Sequence, residues 1–433
     1  MPRILSVSIV LGGSDSSVGQ LVWDDTRTTG SRAQMAFQYD ERWLAHGFSL
    51  GADLPLLPGV HYPFDDSRNP DPVLRSRNGK FGFVADHDVG TWLQSVLKEA
   101  HLKGLKSTFI ELPASPADLW VAVNTQKERF SALSLPHSHT SVSTDLLGFE
   151  EKAPLNSAKH LGDLGNSFAM SVSGHAQPTV NSMGNLLLHA APFTGDEGKL
   201  LITNGRPTEL TDYVVRTQSA KSPFNTVLWR AVTARLAQKC GLDVVDSKIL
   251  TPTLYAEERF DKDSTGESIY CASAATLVGR KTSAFARLKP MAMSYLDMAD
   301  ILNREGANAA EDLHELFARL LFNTLTANHH DRLDQFWFGR LPTGWTLLSM
   351  YCPCAQPSFL TPRLLSTPVR QMQIAAESEN AIAVSRYFGV NAAQAKTMRL
   401  EFMHALSSWR TVAEELGADQ FEITQMEGAF DDY

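Results

Sequence analysis

The amino-acid sequence predicts an α+β fold in which the kind of secondary structure changes along the chain. Strand-like alternation marks the front, strands and one long helix mark the middle, and helical periodicity marks the rear. The chain has 433 residues, enough for two or three domains with sizeable cores. We therefore predict a β-rich N-terminal subdomain over 1–133, a second domain over 134–289 and an all-helical C-terminal lobe over 290–433.

The front of the chain carries the pattern of half-buried strands. Residues 20–23 read as a strand followed by a turn, and apolar residues alternate with polar ones over 33–39. Residues 54–79 are rich in proline, aspartate, asparagine and arginine, which predicts a long loop. The run DLWVAVNTQ, residues 118–126, predicts another strand.

The middle opens with residues 134–167, where weak periodicity and many small polar residues predict a linker. Strand, turn and strand are predicted over 168–193, and DYVVRTQ, residues 212–218, is a further strand candidate. Leucine and valine then recur every four residues over 228–236, which predicts a helix. Gly241 follows this helix as its C′ residue.

The rear shows helix start signals and helical spacing. Ser294 with Asp297, and Asn391 with Gln394, resemble capping boxes. Apolar residues keep helical spacing over 312–327, and the second capping box predicts a final long helix that ends at Leu416 and Gly417. The acidic residues after that helix are most simply a solvated, frayed end.

Composition limits the classes of function. The net charge of −9 predicts no basic face for nucleic acid, so any contact with DNA is expected only indirectly, through a partner. No segment reaches the roughly 18 uninterrupted apolar residues of a membrane span. Four cysteines in so long a chain indicate a reducing cytoplasm and no disulfide framework.

The stretch NHHDRLDQFWF, residues 328–338, concentrates ionisable side chains. It holds two histidines, two aspartates and an arginine within seven positions and ends on three aromatic residues. Such a run is typical of a catalytic or metal-binding loop that leads into a buried strand. Histidine and aspartate are also zinc or iron ligands, but adjacent histidines on a loop do not converge on one ion without help. Cys352 and Cys354 nearby could bind metal or be two buried small residues.

Six segments, in order along most of the chain, resemble the HipA family, the serine/threonine-kinase toxins of bacterial toxin–antitoxin pairs. The loop above resembles the family's catalytic loop, Asn-x-Asp-x-His-x-x-Asn in outline. The resemblance implies a bilobal, protein-kinase-like fold. The six segments read FGFVADHDVGTWL, MSVSGHAQPT, YAEERFDKD, SYLDMADIL, ELFARLLFNTLTANHHDRLDQFWF and WTLLSMYCPCAQP.

The sequence departs from the family at the positions that carry kinase chemistry. With the aromatic strand as anchor, His329 stands where an aspartate accepts the substrate proton, and Asp334 where an asparagine binds Mg²⁺. Cys352 replaces the metal-binding aspartate, although Mg²⁺ prefers oxygen ligands. Moving the register so that Asp331 is the base places Phe336 at the metal position.

The ATP pocket is altered in the same way. The lysine that grips the phosphates becomes Arg216, its helical glutamate partner becomes Arg230, and the lysine of the phosphate loop becomes Thr179. We expect the two arginines to repel each other. The resemblance assigns the remnants of the pocket to Ser171, Ser173, Gly174, Gln177, Arg216, Glu258 and Phe260.

These departures favour a pseudokinase that needs no cofactor and binds a helix-turn-helix antitoxin-like protein or a kinase from the same operon. Two alternatives stay open. One is an active serine/threonine kinase that uses His329 or Asp331 as base and phosphorylates a translation factor such as a tRNA synthetase. The other is a protein that binds ATP and Mg²⁺ without transferring phosphate.

Overall fold

A computed structural model describes the secondary structure of most of the chain. The described residues are 2–11, 13–24, 35–88, 92–94, 98, 116–124, 130–135, 191, 198–206, 209–218, 222–263, 265–278, 292–357, 360, 363–371 and 373–430. The strands are β1 Arg3–Leu11, β2 Ser14–Trp23, β3 Met35–Tyr39, β4 Val60–His61, β5 Leu133–Ser134, β6 Lys199–Arg206, β7 Glu209–Thr217, β8 Ser247–Thr251, β9 Leu254–Glu258, β10 Cys271–Ser273, β11 Trp337–Leu341 and β12 Gly344–Leu347. The helices are α1 Glu41–His46, α2 Pro72–Ser76, α3 Gly82–Asp86, α4 Pro116–Asn124, α5 Thr226–Lys239, α6 Ala274–Leu277, α7 Tyr295–Glu305, α8 Ala309–Thr326, α9 Ser378–Val384, α10 Ala392–Leu406, α11 Trp409–Glu415 and α12 Gln420–Phe430.

The chain divides into two compact units, each built from separate segments. The first comprises Met1–Asp65, Arg77–Lys221 and Leu250–Tyr270, and the second comprises Asp66–Ser76, Ser222–Ile249 and Cys271–Tyr433. The mixture of strands and helices confirms the predicted α+β class. The predicted boundaries near 133 and 289 stay a prediction. Among the described residues, no helix combines the length and the apolar character needed to cross a bilayer.

The first unit contains a five-stranded sheet in the order β4-β3-β2-β1-β5. Its strands alternate as predicted, because Leu5, Val7 and Ile9 turn to the core while the residues between them are less buried or polar. Leu21 and Phe37 are paired across β2 and β3 and are both buried. The predicted strands in this region are therefore confirmed.

Residues 118–124 of the run DLWVAVNTQ are helical, and the strand predicted there is wrong. Residues 116–124 form α4, whose Pro116 occupies the first turn, where proline is tolerated. Leu119, Trp120 and Val121 are consecutive and all buried. A short run that is buried on every side has no periodicity that separates strand from helix.

A four-stranded sheet, in the order β6-β7-β9-β8, follows in the chain. Strand β7 confirms the strand predicted from DYVVRTQ, and it pairs antiparallel with both β6 and β9. The helix predicted over 228–236 is α5. Asn225 caps its N-terminus by accepting from the Leu228 N–H, and Gly241 at φ 78° ends it as predicted.

The second unit is mainly helical, but the prediction of an all-helical rear is wrong. Strands β11 and β12 form a hairpin that joins β10 in a three-stranded sheet. The hairpin is short, with Leu341 paired to Gly344, so each strand carries too few residues for a clear alternation. The linker predicted over 134–167 lies outside the described residues from 136 onward, as do most of the strands predicted over 168–193.

The last part of the chain also differs from the prediction. The final helix is interrupted at Ser407 and Ser408, whose hydroxyls donate to the carbonyls of His404 and Ala405. A further helix, α12, then forms where a frayed tail was predicted. Its Ile423, Met426 and Phe430 recur at helical spacing and are buried, so the acidic tail hides an amphipathic helix.

Candidate functional site

The loop 328–336 joins the end of α8 to strand β11. Helix α8 ends on Ala327, which has the left-handed conformation with φ 45°, and Cys352 shares this conformation with φ 52°. Non-glycine residues hold such backbone angles only where their surroundings enforce them. The loop and the segment around Cys352 therefore keep a specific backbone geometry.

A buried hydrogen-bond network fixes the start of this loop. The side-chain oxygen of Asn328 accepts from the backbone N–H groups of His330 and Cys354, both at 3.1 Å. The Asn328 amide donates to the Asn323 side chain at 2.9 Å, and Asn323 donates to the Tyr295 hydroxyl at 2.9 Å. Helices α7 and α8 thus hold the loop by side chains that the sequence analysis did not single out.

Asp331 lies at the other end of this network. Its carboxyl accepts from the Tyr295 hydroxyl at 3.2 Å, from the Ser366 N–H at 2.7 Å and from the Thr367 N–H at 3.4 Å. Burial raises the pKa of Asp331 to about 7, while the two backbone donors lower it. Both carboxyl oxygens are thus committed to groups of the protein itself.

His329 is half-buried beside Asp331. Its Nε2 atom is buried and has no hydrogen-bond partner among the described residues. Burial, and then the Arg363 guanidinium, lower the pKa of His329, which keeps the imidazole neutral at pH 7. A neutral imidazole can accept a proton, but a base must also reach the hydroxyl it deprotonates. The burial of Nε2 opposes such contact.

Asp334 is engaged by a neighbour in sequence. The Arg332 guanidinium donates to both carboxylate oxygens, at 2.9 and 3.1 Å, and the Asp334 side chain is only 6% exposed. The Asp334 carbonyl accepts from the Tyr351 hydroxyl, which in turn accepts from the Trp337 indole at 3.1 Å. A metal ion at Asp334 would have to displace this two-pronged ion pair.

Cys352 and Cys354 are both buried, and all four cysteines of the chain are free thiols. No group of three or more histidine, cysteine, aspartate or glutamate side chains is arranged to hold a metal ion within the described part of the chain. The donor set at the expected metal position, a buried thiol and an ion-paired carboxylate, does not fit Mg²⁺.

In the first unit, Arg216 is paired with a residue that the sequence analysis missed. Its Nε donates to Glu257 at 2.9 Å, and both side chains are buried. Arg216 faces Tyr255 across β7 and β9, so Glu257 is its diagonal neighbour two residues further on. No alternation along YAEERFDKD could have indicated Glu257, because Leu254 to Glu257 are all buried and only Glu258 is more exposed.

Glu258 and Phe260, which the resemblance assigns to the pocket, lie at the end of β9 and just after it. Phe260 is buried and packs edge-on against Phe130 with the ring centres 5.4 Å apart. The neighbouring Arg259 donates to both oxygens of Asp261, at 2.9 and 2.7 Å. Asp261 also accepts from the Ser131 N–H at 2.6 Å. Phe260 thus packs on the core of its unit, and Arg259 and Asp261 fix the chain beside it.

The residues that the resemblance assigns to the phosphate loop and to the catalytic loop differ in whether the structure describes them. Ser171, Ser173, Gly174, Gln177 and Thr179 all lie outside the described residues. Arg230 is fully buried in α5 of the second unit. The structure brings His329, Asp331 and Asp334 together in one loop and ties Cys354 to that loop through Asn328.

Three proteins or protein families bear on the identity of the chain: the HipA-like C-terminal domain, a bacterial HipA and a bacterial kinase. The family model of the HipA-like C-terminal domain matches residues 193–419, more than half of the 433-residue chain. The HipA of Shewanella oneidensis MR-1, solved with HipB and its operator DNA, is 14% identical with a TM-score of 0.58, over 99% of this chain and 95% of that chain. The Helicobacter pylori proinflammatory kinase CtkA is 10% identical with a TM-score of 0.38, over 54% of this chain and 87% of that chain. No curated protein sequence matches.

Proposed function

The chain belongs to the HipA family, and from this premise we propose that it is a pseudokinase, a kinase-like protein that acts by binding a partner. The observation that carries the proposal is the state of the loop 328–336. Its two carboxylates are held by the protein itself, Asp331 by three donors and Asp334 by Arg332. Kinase catalysis is almost entirely positioning and electrostatics, so carboxylates withdrawn in this way remove most of the machinery.

The proposal does not depend on one alignment of the loop. The family outline Asn-x-Asp-x-His-x-x-Asn can also be anchored on Asn328, whose side chain organises the loop. Counting from Asn328 places His330 at the base and Gln335 at the metal position. The other registers give His329 with Asp334, or Asp331 with Phe336. None of the three pairs an aspartate base with an asparagine metal ligand.

The metal and phosphate sites support the same proposal. Cys352 offers a buried thiol where a hard cation needs oxygen. Arg216, at the position of the phosphate-gripping lysine, is paired with Glu257 of the neighbouring strand, and the helical glutamate partner is replaced by Arg230. Removing one preorganised charge typically costs about 10² to 10³ in rate. These losses are not additive, but together they leave little activity and no requirement for ATP or Mg²⁺.

The partner we propose is a helix-turn-helix antitoxin-like protein, or a kinase from the same operon, held through the β-rich front and the helical rear. The support is family membership together with a fold like that of a HipA solved with HipB and operator DNA. DNA would then be contacted through the partner, in keeping with the net charge of −9.

We expect this chain and the helix-turn-helix protein of its operon to co-elute in size-exclusion chromatography after co-expression. The reason is that a pseudokinase keeps the surface that binds its partner and loses only the ability to transfer phosphate. A helix-turn-helix protein from an unrelated operon serves as the control and should elute separately. Separate elution of the operon partner at micromolar concentrations would contradict the binding half of the proposal.

A further inference from the structure

The segment Arg363–Thr367 bonds to two parts of the second unit that are far apart in sequence. At its beginning, Arg363 bonds to the ends of two helices. At its end, Ser366 and Thr367 bond to the loop 328–336. The segment is itself held in place, because the N–H of Leu365 donates to the Ile374 carbonyl at 2.7 Å and Leu365 is buried. We call this segment the strap.

Arg363 joins the C-terminal ends of α8 and α12. One guanidinium nitrogen donates to the carbonyls of Thr324 and Leu325 at 2.9 and 3.3 Å. The other donates to the carbonyls of Gly428 and Ala429, both at 3.1 Å. The last carbonyls of a helix lack partners within the helix, and they carry the negative end of its dipole. A planar guanidinium directs separate N–H groups at the two helix ends at once, whereas an ammonium offers the donors of a single nitrogen.

The C-terminal end of the strap, Ser366 and Thr367, is hydrogen-bonded to the loop 328–336. The Ser366 N–H donates to the Asp331 carboxyl and its hydroxyl donates to the His329 carbonyl, both at 2.7 Å. Thr367 adds its N–H to the Asp331 carboxyl and its hydroxyl to the Asp331 carbonyl. Four hydrogen bonds therefore tie two residues of the strap to His329 and Asp331 of the loop.

Helix α12 is anchored to the core independently of the strap. Phe430 is fully buried and stacks on Trp409 with the ring centres 5.0 Å apart, and it lies 6.2 Å from the Trp229 ring. Ile423 and Met426 add buried contacts on the same face of the helix. The position of α12 is thus set by apolar packing. The hydrogen bonds of Arg363 to the Gly428 and Ala429 carbonyls depend on that position.

We propose that the strap makes helix α12 and the loop 328–336 one cooperative unit, so that displacing the C-terminal helix releases the loop. This coupling does not require that the loop be inactive, and it holds equally for a loop that performs chemistry. It gives the acidic C-terminal segment a role in controlling the loop from a distance. Coupling of this kind requires an element that contacts both parts and that is ordered or released as a whole. The strap is such an element, because it bonds to α12 at one end and to the loop 328–336 at the other.

Amide hydrogen exchange on the full chain tests the coupling, since it reports local opening segment by segment. We expect Arg363→Gln to speed exchange in both the loop and α12 by about tenfold or more, because four charge-assisted bonds are lost. Phe430→Ala should speed exchange in the loop of the otherwise unchanged protein. In the Arg363→Gln background, the same substitution should add less than about twofold in the loop.

Arg410→Gln is the matched control. Arg410 also contacts α12, through an exposed ion pair with Glu427 at 3.5 Å, whereas Arg363 donates to the carbonyls of Gly428 and Ala429. Exposed pairs of this kind contribute little, so loop exchange should stay unchanged. Where Arg363→Gln does not fold, Arg363→Lys keeps the charge and should give an intermediate effect. Faster exchange in α12 with unchanged loop exchange, or effects that multiply in the double variant, would overturn the proposal.

Discussion

Replacing Asp331 by alanine is expected to lower the free energy of unfolding by about 3 kcal/mol. The substitution leaves the buried N–H of Thr367 and the N–H of Ser366 without their acceptor, and it removes the acceptor of the Tyr295 hydroxyl. Each unsatisfied buried donor costs about 1–3 kcal/mol, and the side chain also leaves a cavity. The measurement is the urea midpoint at an unchanged slope.

Asp300→Ala provides the control, since Asp300 forms an exposed ion pair with Arg304 on the surface of α7. The loss at Asp331 should also depend on pH. Burial raises the pKa of the folded carboxyl to about 7, so its stabilising contribution is fullest at low pH and declines as pH rises toward 7. The alanine variant should therefore lose more stability at pH 5 than at pH 8. A loss below about 0.5 kcal/mol at both pH values would show that Asp331 is not the structural hub of the loop.

Glu257→Leu is expected to cost about 3 to 5 kcal/mol of unfolding free energy, because it leaves the Arg216 charge buried without its carboxylate. Both side chains of the pair are almost fully buried, at 3% and 2% exposure, so solvent screens neither charge. Adding Arg216→Met should restore most of the loss, since replacing a whole buried pair by apolar residues is often close to neutral.

The double-variant cycle separates this pair from a remnant of a phosphate site. If Arg216 were held ready for a nucleotide and only incidentally near Glu257, Glu257→Leu would cost little and Arg216→Met would not compensate. Lys248→Met supplies a control for adding methionine to this sheet, since Lys248 is exposed on β8. It is expected to leave the cost of Glu257→Leu unchanged.

The sequence was informative where local patterns decide the structure. Alternation predicted β3, DYVVRTQ was the strand candidate that became β7, and the apolar residues every four positions predicted α5 together with its end at Gly241. The family resemblance rested on motifs spread along the chain, and the HipA-like C-terminal match confirms it. The strands and the helix depend on residues within a few positions of one another, and each family motif is itself short, which is why one sequence sufficed.

Features that depend on distant contacts were missed. Asp331 could be interpreted as a base because Ser366 and Thr367, which hold it, lie some 35 positions away. Arg216 pairs with Glu257, which becomes its neighbour only when β7 and β9 align, and the expected repulsion between Arg216 and Arg230 stays a prediction. Charged residues at the positions of a kinase's catalytic residues suggest phosphoryl transfer. Tertiary packing decides whether their side chains are free to contact a substrate or are bonded within the protein.

Nucleotide binding and phosphoryl transfer are separate properties, and the proposal that this chain is a pseudokinase concerns the transfer. Binding of ATP to the native state would raise its stability. A site with a dissociation constant near 0.1 mM would add about 1.4 kcal/mol at 1 mM ligand. A thermal shift without transfer would thus identify a protein that retains the ligand and has lost the reaction.

The most direct test is phosphoryl transfer by the purified protein, alone and with its operon partner, using γ-labelled ATP and Mg²⁺. A variant carrying His329→Ala and Asp334→Ala gives the background, because it removes a candidate base and the carboxylate at the expected metal position. The account predicts that the unmodified protein transfers no more label than this variant. Metal-dependent transfer that exceeds the background and is abolished by changing His329 or Asp334 would contradict it.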